Sequence, residues 1–298
     1  MKILFISKPM EDYLSDCALH GLRSLLGADC VDALRADHMY KGVDKSKLYG
    51  KGFTIFGLLD PDLPIDRTEL HGKILGKYFD AVIFGSIHRC HMYLGEVLAT
   101  YPPEKIAFLD GEDGPQLLIN LVHRGHYFKR ELYGQNFAQK GTALPIQFGI
   151  PEEKIDSMNG RDADKRTFLA PLDPMDLTTY IYDNEADYFQ MYRNSMFAYT
   201  QKKAGWDCLR HYEIMACNCI PWFRCLESCP EHIMVDLPKK TLLQAKCMLE
   251  NDVGLLWRRP MPPAGVQLFE EMNFIIQKTL REKLTTKCLA KRILDRLS

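Results

Sequence analysis

The chain lacks the short motifs that mark the commonest nucleotide and hydrolase chemistries. G-x-x-x-x-G-K-[ST] is missing, and with it the phosphate loop of kinase-type enzymes. No G-x-G-x-x-G follows the first apolar run, Ile3-Leu4-Phe5-Ile6, so a standard dinucleotide fingerprint is excluded. G-x-S-x-G and H-E-x-x-H are missing too, which removes support for serine hydrolysis and zincin chemistry. No apolar run approaches membrane-spanning length, and the apolar start is too short for a signal peptide. Charge of one sign is also lacking: 38 Lys and Arg face 39 Asp and Glu, so no global field favours nonspecific nucleic-acid binding. The expectation is a soluble, cytoplasmic protein without a membrane span.

At 298 residues and 46% hydrophobic composition, one large or two medium domains with a sizeable core are expected. Ten cysteines are present, with Cys208, Cys217, Cys219, Cys225 and Cys229 close together. Without a secretory signal a disulfide framework is not expected. C-x-C followed by C-x₃-C is not a usual zinc spacing, so these residues read as small buried hydrophobes rather than metal ligands.

The first half alternates short apolar runs with helical periodicity. Ile3–Ile6, Cys30–Ala33, Ala81–Phe84 and Ile106–Leu109 read as strands, the last two covered on both faces. Residues 13–26 carry apolar positions at helical spacing and end at Gly27, and a second helix runs from about His91 to Ala99. This βαβ rhythm predicts a parallel, doubly wound sheet. The segment from Leu34 to Pro64 breaks it with mixed lysines, aromatics and glycines. Two readings stand for that excursion: an acceptor-binding element whose aromatics stack on rings, or a solvated flap with a small hairpin.

The second half restarts after a polar connection from Pro151 to Arg166 that includes Gly160. Thr167–Ala170 begins a strand, an aromatic-rich helix spans about 184–197, and His232–Val235 reads as another strand. Helices are expected over Lys239–Glu250, Gly265–Lys283 and Thr286–Leu297, the last basic and amphipathic. Between them, Gly205 to Phe223 reads as turn, helix and buried strand. Asp207 is placed to cap the helix. Leu209, Tyr212, Met215 and Ala216 recur on one side, leaving Arg210 and Glu213 together on the exposed side. Asn218 lies at the tight helix-to-strand turn, where Asn tolerates positive φ.

Arg210, Glu213, Ala216 and Pro221 match the pattern R-x-x-E-x-x-A-x-x-x-x-P, which resembles the donor-binding element of GT-B glycosyltransferases, closest to their group-1 and CgeB-like subset. The departure is Asn218, where those families usually have Gly. The resemblance covers mainly residues 165–236. It implies two Rossmann-like doubly wound α/β domains facing each other across a cleft. The N-terminal, acceptor-side domain would span 1–155 and the nucleotide-sugar domain 156–280, with a terminal helix at 281–298 packing back on the first. It also implies a UDP- or GDP-sugar donor, with Glu213 on the ribose and basic residues on the diphosphate. The implied donor set is Lys202, Lys203, Arg210, Tyr212 and Glu213, with no metal and no further cofactor required.

Transfer needs a proton acceptor as well. Asp110, Glu112 and Asp113 follow the strand Ile106–Leu109, at a carboxyl end where open α/β sheets bind ligands. His88, after Ala81–Phe84, stands at another carboxyl end and is the best histidine candidate. Lys129-Arg130-Glu131 matches a segment of related proteins without a role suggesting itself. The expected activity is hexosyl-type transfer to a hydroxyl on a glycan or small molecule. A phage-type enzyme acting on hydroxymethylated DNA bases and a non-catalytic nucleotide-sugar-binding module are the alternatives.

Overall fold

The computed structural model describes residues 1–134, 143–158, 165–250 and 263–298. The chain divides into two compact units, one of residues 1–151 with 230–235 and 285–298, the other of 152–229 with 236–284. Among the described residues, no helix is long and apolar enough to cross a membrane.

The first unit is built on a six-stranded parallel sheet in the order β2-β1-β3-β4-β5-β6. Its strands are β1 (Ile3–Ile6), β2 (Cys30–Asp32), β3 (Ala81–Phe84), β4 (Ile106–Asp110), β5 (His126–Lys129) and β6 (Ala143–Pro145). The runs Ile3–Ile6 and Ala81–Phe84 are fully buried, which is why they carry no polar alternation. Strand order reverses between β1 and β3, so the loops after those strands diverge and leave a crevice at their carboxyl ends. Helices α1 (Tyr13–Leu26), α2 (Leu70–Leu75) and α3 (Leu94–Thr100) fill the first three crossovers. No helix forms at 111–125, where Gly111, Gly114 and Pro115 interrupt the chain.

Helix α1 starts where Asp12 accepts from Ser15 N at 3.3 Å and stops at Gly27, whose φ is +56°. Its face packs against α9 (Thr286–Leu297), which belongs to this unit. The two backbones approach so closely at Gly21 that an added Cβ would lie 1.9 Å from the Thr286 carbonyl oxygen. Beside it, buried His20 Nδ1 bonds Thr286 Oγ1 at 2.8 Å.

The Leu34–Pro64 excursion forms no hairpin and is solvated only in part: residues 41–51 are exposed or half-buried, while the stretches on either side of them are anchored in the core. It contains short 3-10 turns and one isolated parallel bridge, Tyr40 to Leu59, and buries Met39, Tyr40, Ile55, Phe56 and Leu59. Its apolar residues lack strand alternation, yet burying them outweighs the cost of ordering the loop. Two polar clusters pin it, one to β2 and one to α1. Asp32 accepts from Arg23 at 2.8 Å and from Arg67 at 2.6 Å on Oδ1, and from the Tyr40 hydroxyl at 3.1 Å on Oδ2. His38 Nε2 meets Asp16 Oδ1 at 2.8 Å, both buried.

The second unit has a three-stranded parallel sheet, β7 (Thr167–Leu169), β8 (Ser195–Gln201) and β9 (Ile220–Arg224), in that order. Its helices are α4 (Glu152–Met158), α5 (Glu185–Arg193), α6 (Leu209–Ala216), α7 (Lys239–Glu250) and α8 (Pro263–Lys283). Three expectations need correction. The aromatic helix ends at Arg193 and residues 195–197 open β8, because Asn194 closes the helix and the buried run beyond it pairs in the sheet. His232–Val235 is a turn, not a strand; Ile233 and Met234 are fully buried, but Met234 has φ +47°. The polar connection after Pro151 begins as α4, and its part at 159–164, with Gly160, lies outside the described residues.

Two outcomes are expected. Gly21→Ala forces the α1 and α9 backbones apart and costs about 1–3 kcal/mol, read as a lower urea midpoint for the first unit. The second concerns the His38–Asp16 pair. Burial pushes the Asp16 carboxyl up to about 6, opposed by His38. Burial alone would lower His38, but the Asp16 hydrogen bond and charge outweigh it and raise the imidazole. Both shifts leave the folded chain holding more protons than the unfolded one. Stability therefore falls as pH rises from about 4 through 6 and on through the raised imidazole range. The double variant Asp16→Asn, His38→Gln flattens that slope in urea titrations between pH 4 and 8; an unchanged slope would refute the assignment.

Candidate functional site

In the first unit the candidate residues gather at the carboxyl ends of β3 and β4. Asp110, the last residue of β4, has no exposed surface. Its Oδ2 accepts from the Tyr127 hydroxyl at 2.6 Å and pairs with His88 Nε2 at 2.9 Å. Its Oδ1 accepts from Lys129 Nζ at 2.7 Å and from the Glu112 backbone N–H at 3.2 Å. Tyr127 and Lys129 reach it because both lie on β5, which pairs with β4 so that Lys129 stands opposite Asp110. A carboxylate held by four donors is fixed in place and unavailable to a substrate proton.

Glu112 and Asp113 are also engaged. Arg89 donates to Glu112 Oε1 from Nε at 3.1 Å and Nη2 at 2.9 Å, and reaches Asp12 Oδ2 at 3.3 Å. Arg130 donates to Asp113 Oδ1, to the Gly111 carbonyl at 3.1 Å and to Glu131 Oε1 at 3.0 Å. The Lys129-Arg130-Glu131 segment thus braces the 110–113 turn. His88 differs from the acids. It is partly exposed, with 24% of its side chain accessible, and Nδ1 has no hydrogen-bond partner among the described residues. The geometry is that of a carboxylate orienting an imidazole, which makes His88 Nδ1 the candidate proton acceptor on this edge.

In the second unit α6 carries the other set. Its N-cap is Cys208, without a side-chain cap bond, and not Asp207. Asp207 is buried and accepts from the Tyr212 hydroxyl at 2.9 Å. Tyr212 has no exposed surface and faces the core with Leu209 and Met215, so it does not present itself to a ligand. The helix-to-strand turn is made at Asn218 with φ +53°, the left-handed conformation that a glycine would otherwise supply.

Arg210 and Glu213 are less exposed than the helical pattern implies, because α5 covers that side. Glu213 is buried, and the Tyr188 hydroxyl donates to its Oε2 at 2.7 Å. Burial and the adjacent Glu213 charge push the Tyr188 phenol well above its ordinary range, so it stays a donor. Arg210 is half-buried, and its Nε and Nη1 are buried without a hydrogen-bond partner. Its guanidinium lies 5.3 Å from the ring centre of Tyr180, whose hydroxyl is likewise buried without a partner. Lys203 Nζ lies 5.7 Å from the same ring and donates to the Pro174 carbonyl at 2.7 Å. Lys202 goes elsewhere, exposed and 5.4 Å from the Trp206 ring centre. Two of the three expected cations therefore converge, and Tyr180 joins them.

Tyr180 and Tyr188 were not legible as site residues, since a tyrosine-rich stretch reads equally well as core. Tyr180 is placed by its segment's anchors: Asp176 caps the turn Leu177–Thr179, and Arg224 grips Asp173 at 2.8 and 2.9 Å. No group of three or more His, Cys, Asp or Glu side chains among the described residues is arranged to hold a metal ion. Cys217 and Cys219 are buried while Cys225 is exposed. No family model, curated protein or solved structure matches the chain.

A buried guanidinium with unsatisfied N–H groups costs stability, about 1–3 kcal/mol per orphaned polar group. Arg210→Met, similar in length and apolar, is expected to leave the urea midpoint of the second unit unchanged or raise it. A loss above about 1 kcal/mol would show that the guanidinium holds the fold together.

Proposed function

We propose that the chain is a GT-B-type glycosyltransferase that moves a sugar from a nucleotide-diphosphate donor to a hydroxyl acceptor. The observation that carries this reading is the Arg210 guanidinium, whose Nε and Nη1 are buried without a hydrogen-bond partner among the described residues, sharing the Tyr180 ring with Lys203 one helical turn before Glu213. An Arg fork and an ammonium suit the oxygens of a diphosphate, whose negative charge grows as the glycosyl bond breaks. Tyr180 offers a further donor. Glu213, oriented by the Tyr188 hydroxyl, accepts from the ribose hydroxyls.

On the acceptor side, His88 Nδ1 takes the proton from the attacking hydroxyl, and Asp110 stabilises the imidazolium that forms. A non-catalytic nucleotide-sugar-binding module is the second reading; it is favoured by the burial of Glu213 and by Tyr188 already occupying one of its oxygens.

Incubation with a panel of UDP-, GDP-, ADP- and TDP-sugars is expected to release nucleotide from one donor. Glu213→Ala is expected to weaken binding of that nucleotide on the order of tenfold or more, since a charged hydrogen bond contributes ~1.5–3 kcal/mol. Binding with no release in the presence of varied acceptors selects the module. Unchanged nucleotide affinity in Glu213→Ala removes the donor site from α6.

A further inference from the structure

Lys129 has no exposed surface, and burial lowers its ammonium, opposed by the Asp110 charge. A lysine is not buried in a sheet for packing alone, since an apolar side chain would fill the space without desolvation cost. Its place becomes intelligible from the direction of the protons around Asp110. Lys129 Nζ and the Glu112 backbone N–H can only donate, and both point at Oδ1, at 2.7 and 3.2 Å. The Tyr127 hydroxyl could in principle donate or accept. However, its oxygen already accepts from the Leu118 backbone N–H at 3.1 Å, which directs the hydroxyl proton to Asp110 Oδ2 at 2.6 Å. Three donors thus keep Asp110 an ionised acceptor. The fourth contact, His88 Nε2 at 2.9 Å, must then be a donor as well.

We propose that Lys129 and Tyr127 are positioning residues that hold the Asp110 carboxylate as an acceptor and so lock His88 in the tautomer protonated on Nε2. The lone pair is left on Nδ1, the ring nitrogen without a partner in a side chain that is 24% accessible. This rests on the reading of His88 as the acceptor base. In the transfer step the hydroxyl proton goes to Nδ1, the oxygen's electron pair forms the bond to the sugar, and the nucleotide diphosphate leaves with the electrons of the broken bond. A ring in the other tautomer would present N–H to the hydroxyl and take no proton.

The test reads the tautomer directly and needs no sugar donor. Two-bond ¹H–¹⁵N spectra of the full chain, at a pH where the ring is neutral, are expected to show His88 protonated on Nε2. In Asp110→Asn, Lys129 keeps the amide oxygen, the NH₂ turns to His88, and the tautomer switches to Nδ1–H. Adding Lys129→Met frees the amide to rotate and gives a mixture. Lys129→Met together with Tyr127→Phe removes the ammonium and the hydroxyl that keep Asp110 an acceptor and lets Nδ1–H appear, and it decides the matter if Asp110→Asn does not fold. Nδ1–H in the unsubstituted protein, or Nε2–H retained in Asp110→Asn or undiminished in the Lys129→Met, Tyr127→Phe double variant, overturns the proposal. A locked tautomer without nucleotide release from any sugar donor would uphold this arrangement and sink the glycosyltransferase reading alone.

Discussion

A single buried carboxylate organises the first unit. Asp110 ends β4 with no contact with solvent, and an ionised group so placed costs several kcal/mol unless its lone pairs are filled. They are filled from three directions: the loop after β3 through His88, the strand β5 through Tyr127 and Lys129, and the following turn through Glu112 N–H. The β4–β5 register that places Lys129 opposite Asp110 is thereby tied to the position of a side chain two strands away. A slip by one residue would turn Lys129 to the other face and leave the carboxylate unpaired. The same bonds that hold the sheet edge together aim the His88 ring.

The second unit follows the opposite logic. There the charge on α6 is left incomplete: two nitrogens of Arg210 and the Tyr180 hydroxyl are hidden from water without a well-formed hydrogen bond among the described residues. Nearly all buried polar groups in folded proteins find partners, so a cluster of three that do not is a place where stability has been given up. Its surroundings are not careless, since Asp173, Arg224 and Asp176 fix the segment that carries Tyr180. A rigid frame around unsatisfied donors is what the proposed diphosphate site rests on.

The excursion between β2 and α2 shows how polar pairs and apolar burial cooperate. Phe56 packs beside His38 and Tyr13, with ring centres 5.5 and 5.7 Å away, and His38 reaches the first turn of α1 through Asp16. Asp32, at the end of β2, gathers Arg23, Arg67 and Tyr40 from three other segments. The flanks of the long loop are therefore part of the core, and its order depends on a pair whose carboxyl is pushed up to about 6 and whose imidazole is raised.

Local pattern determined much of this molecule. The runs Ala81–Phe84 and Ile106–Leu109, the helix over 13–26 with its Gly27 stop, and the helices at 239–250 and 286–297 follow from periodicity and termini, which neighbours only reinforce. Asn218 is legible for the same reason, because its left-handed turn is a property of one residue's sterics. Contacts distant in sequence were not legible. The burial of Glu213 depends on Tyr188, and the fate of Tyr212 on which side of α6 meets the core. That Nδ1 of His88, and no oxygen of Asp110, is left without a hydrogen-bond partner among the described residues was decided by four contacts converging on Asp110 from separate segments. Residue types alone named the acids and the histidine. Only the tertiary structure distributed their hydrogen bonds, since each bond is a property of two positions and sequence order carries no distance between them.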